Sequence, residues 1–205
     1  MHGERRTAPR NSSLARAGDT GIRIRVMASG WAIQYRMLHD GRRHILKILL
    51  PGDVFGIETL FDQTTTMSVQ TSTAVTYLAL PPADCIAAYE TSRDFCRDLI
   101  ERLASEKAML EKWLVQLGQC DAFERTVALL LSLHRRLTRC GLASGPAFSL
   151  EVTQQDLADV IGVHAIHVNR VLGKLRARNL LSINGKVITL LDAQALADLV
   201  PSATA

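Results

Sequence analysis

The stretch Thr153-Gln-Gln-Asp-Leu-Ala-Asp-Val-Ile-Gly-Val-His-Ala-Ile-His-Val-Asn-Arg-Val-Leu-Gly-Lys-Leu-Arg-Ala-Arg178 decides how this chain is read. Thr153 followed three residues later by Asp156 has the form of a capping box, with Asp in place of the usual Glu or Gln. It opens a short helix whose apolar positions are Leu157, Val160 and Ile161, and Gly162 breaks that helix. After Val163 a second helix is predicted to about residue 178, with Val168, Val171, Leu172 and Leu175 at i, i+3, i+4 and i+7. Two short helices joined by a glycine-containing turn predict a helix-turn-helix. Beyond it, apolar runs at 180–183 and 187–191 flank Asn184-Gly185, a strong hairpin signal, so a β-wing follows. Asp192 caps a last helix over 193–200, ended by Pro201.

If the apolar set of the second helix faces the core, the helical step turns Ile166, His167, Asn169, Arg170, Gly173 and Lys174 outward. Between Asp159 and Asp192 there is no acidic residue, while Arg170, Lys174, Arg176, Arg178 and Lys186 are all basic. A face of this sign fits the phosphate contacts that supply salt-dependent affinity for DNA. Arg170 can donate two hydrogen bonds to guanine O6 and N7, and Asn169 can pair with adenine or a phosphate. Ile166 can only pack against an apolar group, and the thymine methyl is the one such group in the major groove. The candidate DNA-binding set is Ile166, His167, Asn169, Arg170, Lys174, Arg176 and Lys186. The plainer alternatives are a solvated basic face and an Ile166 packed back onto the preceding helix. His164 and His167 stand three apart, but no carboxylate or thiol lies near them in sequence, so no metal site is expected. No G-x-S-x-G, H-E-x-x-H, Walker loop or G-x-G-x-x-G occurs, so no catalytic residue and no cofactor is expected.

Upstream, the alternation over 22–26, the turn at Ser29-Gly30, the run over 31–38, the hairpin signal Asp40-Gly41 and the buried run over 45–50 read as a β-meander. Pro51-Gly52-Asp53 turns the chain into Val54-Phe55-Gly56, and two more strands over 67–71 and 74–80 end at Pro81-Pro82. Residues 1–20 are rich in Arg, Ser and Ala with almost no large apolar side chain, and so are predicted to be a flexible basic tail.

Between Ser92 and Gly118 the chain has neither Gly nor Pro, and Cys96, Leu99, Leu103, Leu110, Trp113 and Leu117 recur at alternating spacings of three and four once Glu106 is counted. A second set, Phe95, Ile100, Ala104, Ala108 and Val115, gives the helix another flank, expected to meet the β-domain. The alternative is an ordinary core helix. A dimer helix is the reading preferred, with Leu99, Leu103, Leu110, Trp113 and Leu117 as its seam and Glu106 weakening it locally or setting register. The predicted fold is α+β: a jelly-roll-like β-roll (21–91) after the tail (1–20), a long dimerisation helix (92–118), and a winged helix-turn-helix (119–205).

The 47% hydrophobic content of these 205 residues excludes a disordered chain. No stretch approaches the ~20 apolar residues of a membrane span, and the first residues lack an apolar signal core, so a cytoplasmic protein is expected. Four cysteines without any C-x-x-C pair point to reduced, structural thiols. The net charge of +4 permits a polyanionic partner without demonstrating one.

Over about residues 22–200 the chain resembles the Crp/Fnr family of bacterial transcription regulators. The resemblance is carried by Thr153-Gln-Gln-Asp-Leu-Ala-Asp-Val-Ile-Gly162, His167-Val-Asn-Arg170 and residues 180–187. In the β-domain it is carried by Ser29-Gly-Trp31, Asp40-Gly-Arg42 and Pro51-Gly-Asp-Val-Phe-Gly56. It implies a homodimer on a two-fold symmetric DNA site that regulates promoters, with RNA polymerase as a further partner and, in some members, a small-molecule effector. Three departures stand out. The tail occupies the place of the family's first two strands, which implies a shortened β-roll. Ile57 follows Gly56, Glu58 comes one place late, and Thr65-Thr66-Met67-Ser68 lies where nucleotide-binding members have an Arg-Ser pair. No Lys or Arg occurs between Lys47 and Arg93, so no local cation is expected for a phosphate, and no gating by cyclic nucleotide is predicted. No cysteine precedes Cys85, where the iron-sulfur members cluster theirs. Ile166 stands where many relatives carry a Glu that contacts bases. The alternative function is a ligand- or protein-binding regulatory module whose winged helix contacts a protein.

Overall fold

In the computed structural model, which describes residues 3–61 and 64–201, the chain divides into two units, Met1–Lys112 and Trp113–Ala205. The first holds strands β1 (Glu4–Ala8), β2 (Ser13–Ala15), β3 (Ile24–Ser29), β4 (Ala32–Met37), β5 (Arg43–Leu49), β6 (Val54–Phe55), β7 (Ser68–Thr71) and β8 (Val75–Leu80). They form two antiparallel sheets, ordered β1-β8-β3-β6 and β2-β7-β4-β5. Met27, Phe55, Tyr77 and Ala79 of the first sheet share one core with Ala15, Ala32, Leu49 and Val69 of the second. Gly30 turns the chain from β3 into β4 at φ 81°, where a Cβ would collide with the Ala74 carbonyl, so the position admits only glycine.

The expected flexible tail over 1–20 is corrected by this arrangement, residues 1 and 2 lying outside the described ones. β1 pairs with β8 along its whole length, from Glu4 opposite Ala79 to Ala8 opposite Val75, and β2 pairs with β7. The ordering comes from strand pairing and from small groups rather than from large side chains. Leu14 and Ala15 are buried, and the Thr71 hydroxyl accepts from the Ser12 amide (2.8 Å) while donating to the Pro9 carbonyl (2.7 Å). The β-roll is therefore not shortened: two strands stand where the resemblance calls for them, the exposed Arg5 and Arg6 masking the first and the second being only three residues long.

Pro82 opens helix α1 (Pro82–Thr91), which the sequence reading did not foresee, and Ser92 separates it from helix α2 (Arg93–Gln119). The Ser92 backbone is extended, and its hydroxyl accepts from the Phe95 amide (3.2 Å), which starts the second helix. The Glu106 carboxylate of α2 accepts from Lys47 of β5 (2.7 Å), Lys47 also lies 3.3 Å from Asp53, and Arg102 donates to the Gly52 carbonyl. Glu106 thus faces the β-roll of its own chain, and with it lie Phe95, Leu99, Met109, Trp113 and Gln116 on one stripe, all partly or fully buried.

This packing divides the set of residues expected to form one seam. Leu99 and Trp113 belong to the inward stripe and are half-buried, whereas Leu103, Leu110 and Leu117 are exposed, joined by Ile100 and Leu114. The exposed stripe runs from the half-buried Cys96 through Ile100, Leu103, Lys107, Leu110, Leu114 and Leu117, about a quarter of a turn from the inward one. Spacings of three and four are satisfied by several parallel stripes on one helix, and only the partner of Glu106 shows which stripe is inward.

The second unit contains α3 (Ala122–Arg139), β9 (Ala143–Ser144), β10 (Ala147–Ser149), α4 (Gln154–Ile161), α5 (Ala165–Ala177), β11 (Leu181–Asn184), β12 (Val187–Leu190) and α6 (Ala193–Asp198). Capping boxes start α3, through Asp121 and Glu124, and α4, through Thr153 and Asp156. Helix α3 buries Val127, Leu130, Leu133 and Leu137 and packs on α4, α5 and α6. The four strands form one sheet ordered β11-β12-β10-β9.

Candidate nucleic-acid interface

The interface begins at Gly162, whose left-handed backbone (φ 72°, ψ 40°) ends α4 and hands the chain to α5. No side chain is near, so the constraint is conformational: an L-residue there would be strained. Val168, Val171, Leu172 and Leu175 are buried, which fixes the roll of α5 about its axis. Ile166, His167, Asn169, Arg170, Lys174 and Arg176 are all exposed, Ile166 at 65%, and Gly173 is half-buried. Ile166, Arg170 and Gly173 form the crest of the outward face, His167 and Lys174 one flank, Asn169 and Arg176 the other. Ile166 is not packed back onto α4. His164, the residue before α5, places no side chain on the amides of the first turn, and its carbonyl accepts from the His167 amide (2.9 Å).

Six of the seven sequence-derived residues therefore share one helix and one exposed surface. The seventh, Lys186, sits at the tip of the wing. Asn184 pairs with Val187, so the loop is Gly185-Lys186, one residue later than the Asn184-Gly185 turn expected. Gly185 takes the positive φ (58°) that the first position of such a two-residue loop favours. The Lys186 ammonium donates to the Glu151 carboxylate (2.6 Å), whose other oxygen accepts from the Ser149 hydroxyl (2.7 Å). The Leu150 amide donates to the Lys186 carbonyl (2.8 Å) and locks the wing tip to the end of β10. Glu151 lies outside the acid-free window from Asp159 to Asp192, and only the antiparallel pairing of β10 with β12 brings it to Lys186. No local sequence signal marks this pair.

Three features of the β-roll also escaped the sequence. Arg36 of β4 donates to the Thr66 carbonyl (3.3 Å), so the loop expected to lack a nearby cation receives one from another strand. The buried Thr65 hydroxyl donates to Glu58 (2.6 Å). Arg25, opposite Phe55 and Ala79, lies over the Phe55 and Tyr77 rings at 5.7 and 5.8 Å. Burial pushes its pKa down, and its Nε and Nη1 have no hydrogen-bond partner. Among the described residues no group of three or more His, Cys, Asp or Glu is placed to hold a metal ion, and no helix is long and apolar enough to cross a membrane.

Residues 5–92 match the family model of the cyclic nucleotide-binding domain, and residues 124–199 match that of the Crp-like helix-turn-helix domain. The chain is similar to the nitrogen fixation regulation protein FixK of Rhizobium meliloti, with 27% identity over 89% of this chain and 80% of the relative. It is similar as well to the CRP-like cAMP-activated global transcriptional regulator of Mycobacterium tuberculosis, with 28% identity over 92% of this chain and 84% of the relative. Among solved structures, FixK2 of Bradyrhizobium japonicum has the same fold, with a TM-score of 0.91 over the whole of both chains at 24% identity.

Proposed function

The chain belongs to the Crp/Fnr family of transcription regulators, and we propose that it acts as a homodimer on a two-fold symmetric DNA site, reading bases with the outward face of α5. Members of the family are regulators of transcription rather than enzymes, and the helix-turn-helix unit is the part that meets DNA. One observation carries the assignment of residues: α5 turns Ile166, His167, Asn169, Arg170, Lys174 and Arg176 to solvent and no acidic side chain among them. Arg170 on the crest reads a base, guanine by its two-donor fork, while Lys174 and Arg176 hold phosphates. The dimer forms through the exposed stripe of α2, with half-sites about one helical turn apart. Such a regulator works in the cytoplasm, with RNA polymerase as its promoter-bound partner.

The M. tuberculosis relative is named for activation by cAMP. For this chain we infer no gating by cyclic nucleotide. The loop over 64–68 carries no arginine, Glu58 is engaged by Thr65, and Arg36 is engaged by the Thr66 carbonyl.

Selection of duplexes from a random pool, followed by binding titrations over a range of salt, tests the reading. Arg170→Ala should cost about 1–3 kcal/mol and relax preference at one position per half-site, whereas Lys174→Ala should weaken all duplexes alike and flatten the salt dependence. A uniform loss for Arg170→Ala would make it a phosphate clamp. Affinity insensitive to salt would favour a winged helix that contacts protein instead.

A further inference from the structure

We propose that Glu151 is a positioning residue that withholds Lys186 from the DNA backbone, so that the wing tip adds no phosphate contact to the wild-type protein. The inference rests on the DNA-binding reading of the second unit and changes the part expected of Lys186. The Glu151 carboxylate is held on both oxygens, by Lys186 at 2.6 Å and by Ser149 at 2.7 Å, and its side chain is 24% exposed against 63% for Lys186. The acid is the anchored partner and the lysine the more exposed one.

A phosphate approaching the wing tip meets a pair of zero net charge. To take the ammonium it must displace the carboxylate, or sit beside it and bear like-charge repulsion. The outward face of α5 has no such restraint, since Arg170, Lys174 and Arg176 are exposed and no ion pair to an acid is seen at any of them among the described residues. Sequence-independent affinity comes from counterions released at neutralised phosphates, about 0.9 of a decade in affinity per decade of salt for each one. Lys186 in its pair contributes none of this, although it stands at the tip of a hairpin where a contact would be made. Glu151 thereby keeps the unit's hold on arbitrary DNA one cation weaker than its composition suggests.

The experiment compares wild type, Glu151→Gln, and Glu151→Gln with Lys186→Gln, titrating a duplex of arbitrary sequence from 0.05 to 0.5 M salt on the order of that used in such titrations. Glutamine keeps the acceptor for Ser149 and removes the charge, and a thermal melt verifies that each variant folds. The single variant, which frees one Lys186 in each half of the dimer, should bind about sixtyfold more tightly at about 0.1 M salt, with a slope steeper by about 1.8. The double variant should return to the wild-type slope, which a merely structural role for Glu151 would not produce. An unchanged slope in Glu151→Gln overturns the proposal, because Lys186 then already holds a phosphate in the wild type. A steeper slope that survives in the double variant overturns it too, since the added cation is then not Lys186. If wild type and both variants bind no duplex at low salt, the DNA-binding reading falls and takes this inference with it.

Discussion

Truncating Leu114 to alanine separates the two stripes of α2. Leu114 is 68% exposed in the single chain, the most open of the seam residues, and Ile100 follows at 63%. Full burial of a leucine side chain is worth about 1.5–3 kcal/mol, so the two thirds still exposed represent about 1–2 kcal/mol per chain on dimerisation. A two-fold interface counts each residue twice, giving about 2–4 kcal/mol per dimer, or about 30- to 700-fold in Kd. Alanine is the best helix former, so α2 itself should not suffer. Lys107, the one charged residue in the stripe, is paired with Glu111 one turn on, which tempers its repulsion from a second copy. Sedimentation equilibrium from nanomolar to micromolar protein measures the shift. Leu99→Ala is the control: on the inward stripe it should lower the melting temperature and leave the dimer Kd within about twofold. If Leu114→Ala moves Kd by less than tenfold while Leu99→Ala moves it as much or more, the seam lies in the register the sequence suggested and the stripe read from Glu106 is wrong.

Site selection run in parallel for wild type and Ile166→Glu should yield different motifs, with thymine preferred opposite isoleucine; identical motifs would mean that this exposed crest residue touches no base. Ellman's reagent should reach Cys140 first and Cys85 and Cys120 last, because burial raises both of the latter thiols above their usual pKa. Cys96, at the head of the exposed stripe, should react slowly in the wild-type dimer and quickly in dilute Leu114→Ala, and a rate independent of dimerisation counts against the seam. Calorimetric titration should detect no binding of cAMP or cGMP; a micromolar Kd would refute the inference, and its loss in Arg36→Ala would identify the cation responsible.

Legibility in the sequence followed the range of the interaction that decides each element. Strands β3 to β8 and helices α4 and α5 were readable because their signals are local: alternation, turns such as Asp40-Gly41, the Thr153 cap and the Gly162 stop. Strands β1 and β2 were not, since their order comes from β8 and β7, more than fifty residues away, and β1 carries exposed arginines where apolar alternation would show while β2 has only three residues. The roll of α5 was fixed by its own apolar set, which is why six of the seven residues expected to meet DNA fall on one exposed surface. The roll of α2 was not fixed by its own set, because Leu99 and Leu103 fit a heptad equally well. What distinguishes them is Lys47 of β5 reaching Glu106. Lys186 was likewise found and its partner missed, because the ion pair spans 35 residues.

The exposed stripe of α2 and the basic crest of α5 account for one another through a count of free energy. A recognition helix brings three or four side chains to base edges, and here the crest offers Arg170 and Ile166, with Asn169 and His167 beside them. A good two-donor contact discriminates by about 1–3 kcal/mol, and a methyl contact by less, so one chain reaches about 3–5 kcal/mol in all. Specific sites are typically preferred over arbitrary DNA by about 4–10 kcal/mol. One chain falls at the bottom of that range. Two copies reading symmetric half-sites double the discrimination and place it well inside, provided that they arrive joined. The leucines left uncovered along α2 are the joint that the proposed dimer requires, and neither surface would be explained as well by a protein that worked alone.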